Sequence, residues 1–440
     1  MKSFLKLRLI YCILLFAIFN SCNTSEQKNT AIINELQYRC VQQLTDVIVH
    51  DIVNPPVASR MYVYSNIAFY EALRITDQSY ASLLANLKGF TELKSPDTSL
   101  QRDYHLSAMI AFMKVAEALV FSKDSIKVGR ELLLDHFDHL NKRVFKNSVQ
   151  WGEEVASVIL DRASKDKYKL TRGMPKFSVL KETGIWQQTP PDYEEAVEPN
   201  WRLIQPLLMD SASQFKPARP PAYDLNPSSQ YYKEVKEVFE LSHQLTEEQK
   251  LIARFWDDNP FVSEHKGHLT YGNKKMTPVG HWMGITGLLC KQTKKTPLEI
   301  ARTYALTAAA IFDGFIATWE EKYTSKTVRP VTVIREHIAS EWNPLLQTPP
   351  FPEYTSGHSV ISAAAATVLT AVIGNQVSFR DTTELKYLGL ERHFPSLEAA
   401  SDEVSMSRMY GGIHYRSAVM NGQKQGQQIG THFIKKFLHP

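Results

Sequence analysis

Seven residues in the last third of the chain have the types and spacings to hold a tetrahedral oxyanion: Lys322, Arg329, Ser356, Gly357, His358, Arg408 and His414. Lys322 is followed after six residues by Arg329-Pro330, Ser356-Gly357-His358 opens an alanine-rich run, and Arg408 is followed after five residues by His414. A cation ~4 Å from a unit negative charge, at an effective dielectric of ~20, contributes ~4 kcal/mol of attraction before desolvation is counted. A helix N-terminus adds unpaired amides and the positive end of the helix dipole, and glycine lets that backbone approach closely. Ser356 brings a hydroxyl, and the two histidines titrate near neutrality.

Taken singly, each of these residues has a plainer reading. Lys322 continues the apolar stripe Ala305, Ala308, Phe312, Phe315, Trp319, and a lysine at the end of such a stripe can bend its ammonium back to water. A serine before a glycine at a helix start is usually just a cap. What favours a pocket is their combination. Behind it, Asp257 and Asp258 close the Phe255-Trp256 helix, either as partners for a pocket arginine or histidine or as a solvated helix end. His281-Trp282, following Thr277-Pro278, reads as structural.

Helices must position these groups. Thr246 with Gln249 makes a capping box, Thr277-Pro278 opens a second helix, and Thr296-Pro297-Leu298-Glu299 opens a third that runs as far as Lys322. Gly411-Gly412 marks a turn, after which Ala418, Gly422, Gly426 and Gly430 recur every four residues, the pattern of a helix packed closely on a neighbour. Upstream, Leu36 to Val47, Met61-Tyr64-Ala68-Ala72 and Trp151-Val155-Val158-Ile159 repeat at three or four residues and read as a helical bundle. Between 171 and 227 lie nine of the 22 prolines, together with Trp186, Trp201 and Phe215. That segment cannot be helical, and it is too aromatic for a free linker, so it should be ordered over the bundles.

Composition bounds the partners. A net charge of +4 over 440 residues, with no clustered basic run, argues against nucleic acid. Lys2, Lys6 and Arg8, the apolar stretch Leu9 to Phe19, and Asn20-Ser21-Cys22 resemble a bacterial lipoprotein signal, which would make Cys22 the lipidated first residue. Two lone cysteines further on, Cys40 and Cys290, make no disulfide framework. No later segment has 18 uninterrupted apolar residues, so the mature protein is expected to be exported and held at a membrane by lipid alone, facing the periplasm or the cell surface.

The three motifs, in this order and at these gaps, resemble the type 2 phosphatidic acid phosphatase and vanadium haloperoxidase superfamily. PPVASRMYVYSNIAFYEA, TPPDYEEAVEPNW and FWDDNP extend the likeness to its bacterial haloperoxidase branch. The resemblance implies that Lys322, Arg329 and Arg408 hold equatorial oxygens, with Ser356 and the Gly357 amide completing the cradle. It makes His414 the axial ligand of vanadate, or the nucleophile of a phosphatase, and His358 the acid/base on the opposite face. Both activities fit one pocket because vanadate readily becomes five-coordinate, as phosphorus does in in-line transfer. Two positions depart from the pattern. Thr355 replaces a proline, and Ala418 stands where the phosphatase motif carries an aspartate that would orient His414. A backbone carbonyl is the candidate to orient His414 instead.

The expectation is therefore an all-α protein of two packed helical bundles, at 30–170 and 240–440, after a signal at 1–22 and joined by a Pro-rich ordered connection at 171–230. Its expected activity is vanadate-dependent oxidation of halide by hydrogen peroxide, on a small-molecule substrate. The alternatives are an acid phosphatase with phosphate in the pocket and a non-catalytic oxyanion-binding lipoprotein; a homo-oligomer is left open.

Overall fold

The structure, a computed structural model, describes residues 32–438 apart from 34, 180, 181, 261, 267 and 268. The signal segment and Cys22 lie outside the described residues.

The first half is a bundle of α1 (35–50), α2 (Pro55–Leu73), α3 (Tyr104–Leu119), α4 (Lys123–Leu134) and α5 (Lys142–Lys165), followed by the short α6 (Tyr168–Arg172). Asn54, Asp103 and Asn141 cap α2, α3 and α5 by accepting backbone N–H groups. The second half contains α7 (Gln230–His243), α8 (Glu247–Phe255), a hairpin of β1 (Val262–Lys266) and β2 (Leu269–Asn273), α9 (Pro278–Gln292), α10 (Pro297–Ser325) and α11 (Pro330–His337). It ends with α12 (Gly357–Ile373), β3 (Phe379–Asp381), α13 (Leu385–Leu388), β4 (Arg392–Phe394), α14 (Leu397–Tyr410) and α15 (Arg416–Phe437). The sequence pattern contains no train of strands, and among the described residues the sheet is limited to two antiparallel strand pairs, β1–β2 and β3–β4.

Both expected capping boxes form, at Thr246/Gln249 and at Thr296/Glu299, and Thr277 caps α9. α10 is the axis of the molecule, packing on α2 of the first bundle and on α9, α12 and α15 of the second. It is long and apolar enough to cross a membrane, but 94% of its apolar stretch is buried inside the protein, which marks it as a core helix. It runs one turn past Lys322 and stops at Lys326, whose φ of 53° breaks the helical hydrogen-bond ladder. One hydrophobic cluster extends from Leu36 through Phe312 to Phe437, so the two bundles share a core. Cys40 and Cys290 are unpaired and buried.

The Pro-rich connection is tied down as its tryptophans imply: Trp186 and Trp201 are fully buried and Phe215 packs against the main cluster. Its backbone amides at Leu207, Leu208 and Met209 all donate to the buried Asp313 carboxylate of α10, at 2.7, 2.9 and 3.0 Å. The Val197 carbonyl accepts Trp319 Nε1 and the Tyr323 hydroxyl.

Candidate active site

The seven candidate residues converge from three helices, α10, α12 and α14, and from the segments just before α11, α12 and α15. Lys322 lies in the last turn of α10, Arg329 caps α11, Ser356 caps α12, Gly357 and His358 form its first two residues, Arg408 lies in the last turn of α14, and His414 sits in the turn before α15. Proline at position 330 holds Arg329 in an extended conformation, which aims its side chain across the site instead of along a helix.

Backbone carbonyls hold the cations in place. Lys322 Nζ donates to the carbonyls of Pro352, Glu353 and Thr355 at 2.9, 3.0 and 2.6 Å. Burial, and then Arg329 beside it, push the lysine well below its ordinary pKa range. Arg329 donates through Nε to the Phe351 carbonyl (2.9 Å) and through Nη1 to the Ile413 carbonyl (2.7 Å), and burial draws its pKa down to about 10, leaving it charged at neutral pH. Phe351 lies under both cations, its ring centroid 5.0 Å from Lys322 Nζ and 5.2 Å from Arg329 Cζ. Arg408 Nη1 reaches the Trp256 carbonyl at 2.6 Å.

After these contacts some donors remain without a partner. Arg329 Nη2 and Arg408 Nε are buried and, among the described residues, bond to nothing; His358 Nε2 is equally unpartnered but, with the other ring nitrogen donating to the Asp257 backbone, it is an acceptor. Ser356 Oγ accepts from the Ser359 N–H and hydroxyl at 3.3 and 2.9 Å, which leaves its own proton to be donated. Several unsatisfied buried donors beside a helix N-terminus are costly in a dry protein and well matched to a multivalent oxyanion. An added Cβ at Gly357 would meet only Thr318 and Trp319, at 3.8 and 3.9 Å. The fold would tolerate a side chain there, so the glycine is explained by close approach to a ligand.

Both histidines are held neutral. Burial, then Arg329, Lys322 and Arg408, keep His414 well below the usual imidazole range; burial and Arg408 do the same to His358. His414 Nε2 lies 3.2 Å from Arg329 Nη1 and Nδ1 lies 2.8 Å from Glu353 Oε1. A guanidinium can only donate, so the Nε2 lone pair faces the arginine and the proton sits on Nδ1, toward Glu353.

Glu353 is the residue that sequence reasoning missed. It is 1% exposed, also accepts the Tyr415 N–H at 3.0 Å, and is pushed up to about 7 by burial, against the pull of Arg329. It supplies the orienting carboxylate whose usual position is taken by Ala418, and it comes from a different element. The expected backbone carbonyl is not what orients the ring. Ala418 is small for a packing reason: α15 lies against α12, and the Ala418 carbonyl accepts the Ser356 N–H at 3.2 Å. The available signal was an acidic residue three positions before Ser356, between Pro352 and Tyr354, too weak a cue without the fold.

The two aspartates behind the pocket are buried, at 2% and 4% exposure, which excludes the solvated-end reading. Their carboxylates do not pair with a pocket arginine or histidine. Asp257 Oδ2 takes Lys275 Nζ at 2.5 Å, and Asp258 takes His281 Nδ1 at 3.0 Å. It is the backbone of the Trp256-Asp257 turn that serves the site, since the Trp256 carbonyl holds Arg408 and the Asp257 backbone bonds His358. The negative charge of the two aspartates also favours the Arg408 cation.

Comparison with known proteins agrees with this geometry. The family described as "VCPO second helical-bundle domain" matches residues 302–439, which include all seven residues. A crystal structure described as the first bacterial vanadium-dependent iodoperoxidase is 44% identical, with a TM-score of 0.87, covering 92% of this chain and 96% of that one. Holo and apo structures of a bacterial vanadium-dependent chloroperoxidase, each 17% identical, share the fold, with TM-scores of 0.66 and 0.67. They cover 89% and 88% of this chain, and 94% and 95% of their own. No curated protein sequence matches the chain.

Proposed function

The chain belongs to the vanadium haloperoxidase superfamily, and from that premise we propose that it holds vanadate in the pocket described above and oxidises iodide with hydrogen peroxide. The observation that carries this is the pair of buried donors without protein partners, Arg329 Nη2 and Arg408 Nε, together with a histidine whose Nε2 is left unprotonated for coordination. The choice of iodide rests on the iodoperoxidase that is 44% identical over nearly the whole chain.

In this reading His414 Nε2 would hold the vanadium. Arg329 and Arg408, with the Ser356 hydroxyl and the Gly357 amide, would hold its oxygens, and Lys322, whose N–H groups go to three backbone carbonyls, would act through its charge. Bound vanadate supplies a Lewis-acidic centre that activates peroxide toward a halide. Lys322 gains from the anion, because a nearby negative charge restores the ammonium that burial disfavours. Glu353 keeps the His414 proton on Nδ1. His358, neutral at working pH, takes a proton from the incoming peroxide and returns it. Export and lipidation at Cys22 belong to the same proposal, supported by the N-terminal pattern alone.

The test is halide oxidation by the purified mature protein with and without orthovanadate, comparing iodide, bromide and chloride, with His414→Ala alongside. Oxidation should require both vanadate and peroxide, be fastest with iodide, and fall at least ~10²-fold in His414→Ala. Phosphomonoester hydrolysis inhibited by vanadate, with no halide oxidation, would overturn this reading.

A further inference from the structure

On the far side of the Trp256–Asp258 turn from Arg408, four titratable side chains form one buried knot: Asp258, His281, Asp381 and Glu384, none more than 4% exposed. His281 Nδ1 lies 3.0 and 3.1 Å from the two Asp258 oxygens and 3.8 Å from Glu384 Oε1. Its Nε2 lies 2.9 Å from Asp381 Oδ2, and Asp381 is anchored in turn by the Thr383 N–H and hydroxyl at 3.0 and 2.6 Å. The Trp256 ring stacks on the imidazole with centroids 4.3 Å apart. Both Glu384 oxygens are buried without a hydrogen-bond partner among the described residues. Lys275, the nearby cation, is engaged by Asp257. Three buried carboxyl groups around one imidazole, one of them unpaired, form a cluster that a dry interior disfavours strongly unless protons or a cation balance it.

The geometry points to a divalent-cation site formed by Asp258, Glu384 and His281 Nδ1. One ligand atom from each lies within 4.8 Å of the others. Ligand atoms ~2.1 Å from one ion stand ~3.3 Å apart at a tetrahedral angle. The 3.0 and 3.8 Å separations around His281 Nδ1 bracket that spacing. Asp381 supplies the supporting part: by accepting Nε2–H it leaves the Nδ1 lone pair for the ion, the arrangement that fixes metal-bound histidines elsewhere. Two carboxylates with one imidazole suit Zn(II) or Mn(II), since Mg(II) and Ca(II) prefer oxygen throughout. Binding displaces the protons that Nδ1 and Glu384 carry in the metal-free state. A cavity of about 250 Å³ is lined in part by Gly280, Thr382 and Thr383, the chain neighbours of His281, Asp381 and Glu384. An ion here cross-links α9, the β3–α13 loop and the turn whose backbone holds Arg408 and His358.

Protein stripped with a chelator, free of vanadate, is equilibrated with Zn(II) or Mn(II) and desalted, and retained metal is counted by mass spectrometry alongside the melting temperature. The parent should keep about one ion per chain and melt higher with it. Glu384→Gln should bind at least about tenfold more weakly and Asp381→Asn about 10- to 100-fold more weakly, while His414→Ala, in the other site, takes up metal like the parent. If Glu384→Gln does not fold, the Co(II) spectrum of the parent decides: the strong visible band of a four-coordinate ion supports the site, and its absence overturns it. No retained ion in the parent, or equal uptake by folded Glu384→Gln, also overturns it, leaving His281 as an imidazolium clamped between Asp258 and Asp381.

Discussion

At His414 the chain meets the need for an orienting carboxylate with Glu353, 61 residues upstream, instead of a residue one turn along its own helix. The two solutions are equivalent for the imidazole, since either places an acceptor on Nδ1 and leaves Nε2 to the ligand. Ala418 therefore loses its force as a mark of a decayed site. Glu353→Ala should weaken vanadate binding about 10- to 100-fold, measured by titration of the purified protein, and unchanged affinity would remove Glu353 from the site. The same residue gives a pH dependence. Its folded pKa is raised to about 7. The ordinary glutamate value is ~4.3, so between the two the folded state carries the extra proton and stability falls as pH rises, the loss being complete above ~7. Glu353→Gln should flatten the decline in melting temperature of the vanadate-free protein between about pH 5 and 7. An identical slope in the two proteins would show that the shift is not there.

At the scale of elements, the pocket depends on how closely α15 lies against α12. A Cβ at Gly426 would come 2.1 Å from the Val360 carbonyl and 2.8 Å from Ala363 Cβ, both on α12, and one at Gly430 would come 2.6 Å from Thr367 Cβ. These distances cannot be relieved by a rotamer change, because the nearest atoms belong to the backbone and to short side chains. Gly426→Ala must push apart the two helices whose starts carry Ser356 and Ala418. The expected cost is about 1–3 kcal/mol, seen as a melting temperature lower by a few degrees, with weaker vanadate binding because the amide end of α12 is displaced. A variant with parental stability and affinity would mean that the interface yields without moving the site.

At the scale of the whole molecule, α10 carries the load of both halves: it bears Lys322 in its last turn, receives three amides of the Pro-rich connection on Asp313, and packs on α2 and α12. The first bundle thus shapes the site without contributing any of its seven residues, through the helix that both bundles share. The catalytic half needs no membrane span of its own among the described residues, since the one helix apolar enough to be a candidate is buried in the core. Attachment would rest on Cys22. Cys22→Ser, expressed in a bacterium with a lipoprotein pathway, should move the protein from the membrane to the soluble fraction, and an unchanged distribution would reject lipidation there.

Helix starts, the shared apolar stripes and the three catalytic motifs were legible in the chain because each depends on neighbours within a few residues: Thr296 caps with Glu299, Ser356 starts its own helix, and Gly422, Gly426 and Gly430 line one helical face. Local geometry follows from local sequence, and motifs at known gaps carry their chemistry with them. What the fold alone decided is which groups complete one another across long separations. Glu353 with His414, and Asp258 with His281 and Asp381, pair over 61, 23 and 100 residues, distances at which spacing carries no information. A buried charge accepts whatever partner packing brings within reach, and that choice belongs to the assembled core.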